Sequence, residues 1–155
     1  MSGNVAARLK QLGIGLPEAV SPIANYVPTR RSGNLLIVSG QVPIEAGKPK
    51  YTGRLGGDVD LETGVAAARL CGLNVLAHAA AALGGDLDRI TACLRLGVFV
   101  AAAPDFNDHP KVANGASDLM VEVLGDAGRH ARAAVGMSSL PLGVPVEVEA
   151  MFEVA

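Results

Sequence analysis

The sequence predicts a single α/β sandwich, with two long helices on one face of a mixed or antiparallel sheet. Three observations carry that expectation. Two Ala-rich apolar segments, 61–83 and 108–124, are long enough for helices and stop on glycine. The run Ile90 to Ala103 is β-branched and aliphatic and stops at Pro104. The C-terminal run Val146-Glu-Val-Glu-Ala-Met-Phe-Glu-Val154 alternates with period two. Side chains two apart on a strand share a face, so Glu147, Glu149 and Glu153 fall on one side. Val146, Val148, Ala150, Phe152 and Val154 fall on the other.

In chain order, Asn4 is placed to cap a short helix with Val5, Leu9 and Leu12 on one stripe, stopped by Gly13. Residues 14–24, with Pro17 and Pro22, read as a connecting segment. Tyr26–Arg31 and Asn34–Ser39 flank Ser32-Gly33, a hairpin signal. Gly40–Gly57 is rich in Gly, Pro and Lys and reads as a long loop. Asp60 is an N-cap for the first long helix, closed by Gly84-Gly85, with Gly64 and Gly72 inside it permitting close packing. The second long helix starts near Asp108 with Pro110 in its first turn, and Gly125 ends it. Arg129 to Val154 then reads as two strands joined by a Leu-Pro turn. The order α, β, β, α, β, α, β, β leaves the second sheet face, bearing Thr91, Arg95 and the glutamates, without cover from this chain. Its Ala- and Gly-rich strands favour contact with another subunit, so a homo-oligomer is expected.

At 155 residues, half of them apolar and 18% charged, the chain is one domain (1–155) with a real core, and residues 1–23 form an N-terminal helix and linker extension. Aromatics are 3%, so Ala, Val and Leu must fill that core. The net charge of −2, no basic run beyond Arg30-Arg31 and no aromatic platform argue against nucleic-acid binding. Cys71 and Cys93 lie in apolar stretches and read as buried thiols of a cytosolic protein. No Cys/His spacing resembles a zinc site. Residues 1–10 lack an apolar signal core. The apolar run 65–83 carries Arg69, Asn74 and His78 and reads as a buried helix rather than a membrane span.

The chemistry-bearing residues converge on the C-terminal strands. His130, Arg132 and Ala134 share one strand face. Guanidinium matches a carboxylate bidentately and stays charged, so Arg132 is a candidate anion clamp. Most Arg–Glu pairs are structural, so from the residues alone a salt bridge to Glu147 or Glu149 is the favoured alternative. Glu147 suits a general acid/base if burial raises its pKa, or a solvated strand face if not. Arginine and acidic groups gathered on one sheet face would hold a small anion and move a proton. His130 could aid catalysis or face solvent at an interface rim, the rim being favoured; His78 reads as packed or capping, and His109 as a helix-start residue. Gly40, before Gln41, offers a backbone N–H to an anion. Asn114-Gly115 inside a helical pattern needs a packing or binding reason.

Taken jointly, Gly33-Asn-Leu-Leu-Ile-Val-Ser-Gly-Gln41, Ala131-Arg-Ala-Ala-Val, Leu140-Pro and Val146-Glu-Val-Glu-Ala resemble the RidA/YjgF family, also known as endoribonuclease L-PSP or translation-inhibitor-like proteins. The resemblance runs from about Ala24 to the C-terminus. Val112-Ala-Asn-Gly-Ala-Ser-Asp-Leu119 and Gly128-Arg-His-Ala-Arg-Ala-Ala-Val-Gly136 resemble a distinct branch. The resemblance implies a chorismate-mutase-like α+β fold and a homotrimer whose clefts lie between subunits. It further implies hydrolysis of 2-imino or 2-enamino acids to 2-oxo acids and ammonia, without metal or cofactor. On that resemblance Arg132 is the carboxylate-binding arginine, Gly40 assists it through its N–H, and Glu147 positions or activates water. Tyr26 and Ser39 line the cleft, and Asn114 matches the helix asparagine. One position departs: the archetype's cleft cysteine, two residues after the arginine, is Ala134 here. A non-catalytic trimer that binds a small carboxylic or 2-oxo acid is the alternative function. An endoribonuclease fits least, since no His pair, metal site or basic groove is visible.

Overall fold

The computed structural model describes residues 4–155, so the reading of the N-terminal segment falls partly on residues 1–3, outside the described ones. The elements are α1 (Asn4–Leu12), β1 (Thr29–Ser32), β2 (Leu35–Gln41), β3 (Ile44–Glu45), β4 (Lys48–Pro49), α2 (Leu61–Ala82), β5 (Ile90–Ala101), α3 (His109–Leu124), β6 (Ala131–Met137) and β7 (Val146–Val154). Five strands form one sheet in the order β1-β2-β7-β5-β6, and β3-β4 form a separate ladder. All pairs are antiparallel except β5–β6, which is parallel. A parallel pair needs a crossover, and α3 supplies it. This is the mixed α+β chorismate-mutase-like fold that the resemblance implied.

Local chemistry sets the helix limits. The Asp60 carboxylate accepts from the Thr63 N–H at 2.8 Å and caps α2. Gly84 and Gly85 have φ of +68° and +88°, and the Gly85 N–H returns to the Ala80 carbonyl at 2.8 Å, closing the helix. At the start of α1, Asn4 is itself helical rather than the cap. The Val5 N–H instead finds Asp88 Oδ1 at 3.2 Å, from the turn before β5.

Several expectations about the strands are corrected. The first hairpin turns on Gly33-Asn34, not Ser32-Gly33: Ser32 pairs with Leu35, and Gly33 has φ +57°. Glycine at the first central position suits a II′ turn. Segment 40–57 is not all loop, because Gln41 belongs to β2 and Ala46-Gly47, at φ +52° and +78°, turn β3 into β4. β5 stops at Ala101. The two C-terminal strands are joined by a Leu140-Pro141 turn, as expected, and β5 lies between them in the sheet. Pairing with the long apolar β5 satisfies both.

The core lies between the sheet and the helices. Val146, Val148, Ala150, Phe152 and Val154 of β7 are buried against them, as the alternation required. By length and composition α2 could cross a membrane, but 61% of that stretch is buried between the sheet and α3, so it is a core helix. On the opposite face Glu149 meets Arg95 at 3.0 Å, Glu153 meets Thr91 at 3.1 Å, and Leu35, Ile37 and Val135 stand exposed.

Two glycines set the helix–helix distance. A side chain on Gly115 would strike the Val65 carbonyl of α2, and one on Gly72 would press on Leu119 at 2.9 Å. The Asn114-Gly115 pair thus has a packing reason for its glycine. Because the obstacle is backbone, relief requires moving a whole helix. Gly115→Ala should therefore lower stability by about 3 kcal/mol, at the upper end of overpacking costs. Urea unfolding should show a lower midpoint with an unchanged slope.

Candidate functional site

Two clusters emerge around the residues singled out from sequence. The first is built on a β-bulge. Pairing of β2 with β7 steps from Val38–Ala150 to Gln41–Val148, so Ser39 and Gly40 together oppose Glu149. The extra residue brings Gly40 against Glu147, whose carboxylate occupies the space a Cβ would need. Gly40 has an ordinary negative φ, so it is glycine for room rather than for conformation. Glu147 is half-buried. Loss of solvent, and secondarily the charge of Glu149, raise its carboxyl above the ordinary value of 4.5. That direction is the one a general acid/base would need.

Tyr26 and Gly40 share a cavity of about 640 Å³ with Gln41, Asn74, His78 and Leu142. Ser39 belongs to the same corner, but its hydroxyl is engaged. It donates to the Val27 carbonyl at 2.8 Å, while the Ser39 N–H bonds the Pro28 carbonyl at 2.9 Å. Ser39 therefore ties the segment carrying Tyr26 to the bulge. His78 is packed, as expected, and burial lowers its pKa.

The second cluster is on β6 and α3. Arg132 pairs with Leu96 of β5 and points to the helix side of the sheet, where its Nη1 donates to Asn114 Oδ1 at 2.8 Å and to Ser117 Oγ at 3.1 Å. Among the described residues no carboxylate pairs with it. Glu149 is taken by Arg95, so the salt bridge to Glu147 or Glu149 is not formed. Asn114 and Ser117 are three apart on α3 and thus on one face. Ala134, on the same side of β6 as Arg132, packs against the core.

The two clusters do not meet within one chain. Glu147 lies on the face opposite the helices, paired through Phe99 to Val135. Arg132 is three residues away along β6 and two strands across, which is roughly 14 Å of sheet before the change of face is added. The expectation that Arg132 and the glutamates share one sheet face is therefore wrong. Both alternate regularly, but β6 meets the sheet in parallel through β5 at a register that sends Arg132 to the other side.

Cys71 and Cys93 are buried and free. Desolvation pushes the Cys71 thiol well up and that of Cys93 to about 12, so neither suits a nucleophile. Among the described residues no group of His, Cys, Asp and Glu is disposed to hold a metal ion.

The family model for YjgF/chorismate-mutase-like proteins matches residues 6–153. The chain belongs to the RidA/YjgF family. It is 50% identical over 153 residues to Protein TCP17 of Trypanosoma cruzi, covering 98% of this chain and 95% of that one. A crystal structure of an Agrobacterium tumefaciens protein of unknown function superposes with a TM-score of 0.91 at 52% identity, covering 97% of this chain and 92% of that one. The TdcF protein of Escherichia coli, solved with bound serine, superposes with a TM-score of 0.63 at 25% identity, covering 89% and 94%.

One polar member of this RidA/YjgF chain's second cluster, Ser117, escaped the sequence reading. His130, already placed on the strand face of Arg132, is half-buried within the chain and doubly hydrogen-bonded, to Ser117 Oγ at 2.8 Å and the Gly128 carbonyl at 2.6 Å. The available signal was spacing: Asn114 and Ser117 at i, i+3 on a helix, facing His130 and Arg132 at i, i+2 beside a strand.

Gly40→Ala tests the first cluster, because the added methyl must displace the Glu147 carboxylate. A misplacement of about 1 Å costs on the order of 100-fold in rate. Turnover of any substrate that depends on Glu147 should fall by that order. The melting temperature should change little, since the displaced carboxylate can swing into solvent.

Proposed function

We propose that this protein hydrolyses reactive 2-imino and 2-enamino acids to 2-oxo acids and ammonia, in clefts where Arg132 of one subunit faces Glu147 and Gly40 of another. The observation that carries this reading is how Arg132 is held. Two neutral oxygens fix one nitrogen of its fork, and among the described residues no acidic partner neutralises its charge. An arginine anchored this way has its remaining N–H groups and full charge available for a carboxylate. The bound serine of TdcF is itself an α-amino carboxylate, which supports that ligand class.

The chemistry asked of the site is modest. The iminium carbon is already electrophilic. Water adds to it while Glu147 takes one water proton, giving a carbinolamine. Glu147 returns that proton to nitrogen. The C–N bond then breaks with its electron pair on nitrogen, and the hydroxyl proton leaves through Glu147, so the products are a 2-oxo acid and ammonium. One carboxyl of raised pKa serves each transfer. The separation of Arg132 from Glu147 in one chain supports a shared site, and the uncovered outer face supports a homotrimer as its frame. Residue Ala134, where the archetype has cysteine, favours a second reading: a trimer that binds a 2-oxo acid without turnover. In that case 2-oxobutyrate raises the melting temperature while 2-iminobutyrate decays at its spontaneous rate.

Arg132→Ala should lower kcat/KM for 2-iminobutyrate by about 10²–10³-fold, the cost of stripping a charge partner from a desolvated carboxylate. Release of 2-oxobutyrate checks this, and light scattering should give three chain masses. A monomer, or wild-type protein that does not speed the hydrolysis, rejects the proposal.

The pH profile gives an independent check. Glu147 must be ionised to accept the water proton, so kcat/KM rises with pH through its pKa. Glu149 contributes to holding that pKa up. Glu149→Gln removes the like charge, so the acid limb should move to lower pH.

A further inference from the structure

Ser117 and His130 form a connected chain that ends on Arg132, and neither belongs to the family assignment made above. The chain starts at Gly128. Its missing side chain lets the turn 125–128 press against the Met120 carbonyl of α3. The Gly128 carbonyl only accepts, so the contact at 2.6 Å places a hydrogen on His130 Nδ1. In the neutral imidazole this leaves Nε2 a lone pair, and at 2.8 Å it receives the Ser117 hydroxyl hydrogen. Ser117 Oγ is then left with lone pairs alone toward Arg132, which only donates, at 3.1 Å.

Each link fixes the polarity of the next. A free serine hydroxyl rotates, and in some rotamers it would turn its hydrogen toward the guanidinium. His130 prevents that. Asn114 supplies the second acceptor on the same nitrogen, at 2.8 Å. The clamp is therefore oriented entirely by neutral groups. A carboxylate in place of Ser117 would orient Arg132 as well but would compete with the ligand for its charge.

We propose that Ser117 and His130 are positioning residues that set the orientation of Arg132 and so the preference of the site for a carboxylate-bearing ligand. This rests on the carboxylate-clamp reading of Arg132 and adds to it a device outside the family's matched positions. Its signature is discrimination and not affinity in general. A ligand that retains the 2-oxo group but replaces the carboxylate with an amide does not need the oriented fork.

The experiment measures binding of 2-oxobutyrate and of 2-oxobutanamide by calorimetry to the wild-type oligomer and to Ser117→Ala, Ser117→Thr and His130→Ala. The carboxylate-to-amide affinity ratio should fall roughly ten- to a hundredfold in Ser117→Ala, the scale of one hydrogen bond to a charged group. It should fall less in His130→Ala, where the hydroxyl is freed but not removed, and return near wild type in Ser117→Thr. If both ligands weaken equally, the residues act only on folding or packing and the inference is overturned. An unchanged ratio in both Ser117→Ala and His130→Ala overturns it as well. Wild-type binding without imine turnover removes the hydrolytic reading and leaves the positioning role to the same ratio. Wild-type protein that prefers neither ligand overturns both.

Discussion

The depth at which α3 sits on the molecule governs the second cluster. That depth is set by backbone meeting backbone, because Gly115 admits the Val65 carbonyl of α2 and Gly128 admits the Met120 carbonyl of α3. Contacts of this kind have no soft side chain to give, so they fix distances within a few tenths of an ångström. Asn114, next to Gly115, and Ser117, one turn further on, project from the exposed side of the same helix. Their height above β6 follows from how closely the buried side can approach α2. An Ala-rich core makes this possible: bulky residues between helix and sheet would lift α3 away from Arg132.

The electrostatics follow from what surrounds each group. Arg132 is held by the oxygens of an amide and a hydroxyl, which bring no negative charge of their own. Glu147 is shifted toward its neutral form because it gives up solvent beside the bulge and has an acidic neighbour two residues on. Arg95 faces Glu149 rather than Glu147, so the carboxylate with a nearby cation is not the one placed over Gly40. On one strand face, the glutamates are thus divided by environment into ion-paired Glu149, hydroxyl-bound Glu153 and half-buried Glu147.

Much of the fold was legible because its signals are local. The alternation of residues 146–154 fixed the inward set, and Asp60 and Gly84-Gly85 bounded α2 within a residue. The β3–β4 ladder was missed because two-residue strands have no period to read, and only Ala46-Gly47 marks the turn. The neighbour of β6 was not legible, because a turn between two strands does not say whether they pair, and here β5 lies between them. That topological fact carried the site with it. Arg132 and Glu147 each lie on the face their own strand predicts, but the relation between the faces depends on which strand lies between.

The position of Ala134 bears on how the second cluster is organised. On β6 it follows Arg132 on the same side and packs into the core, so the strand itself offers the guanidinium no polar neighbour there. The polar contacts come instead from α3, where Asn114 and Ser117 both accept from Arg132 Nη1. A group contributed by the strand would be two residues from Arg132 and tied to its pleat. Groups contributed by the helix come from a separate rigid body, and they hold Arg132 only while helix and strand keep their separation. The packing glycines and the neutral acceptors of the clamp are therefore parts of one arrangement: small residues on the buried side of α3 keep its exposed side within hydrogen-bonding reach of β6.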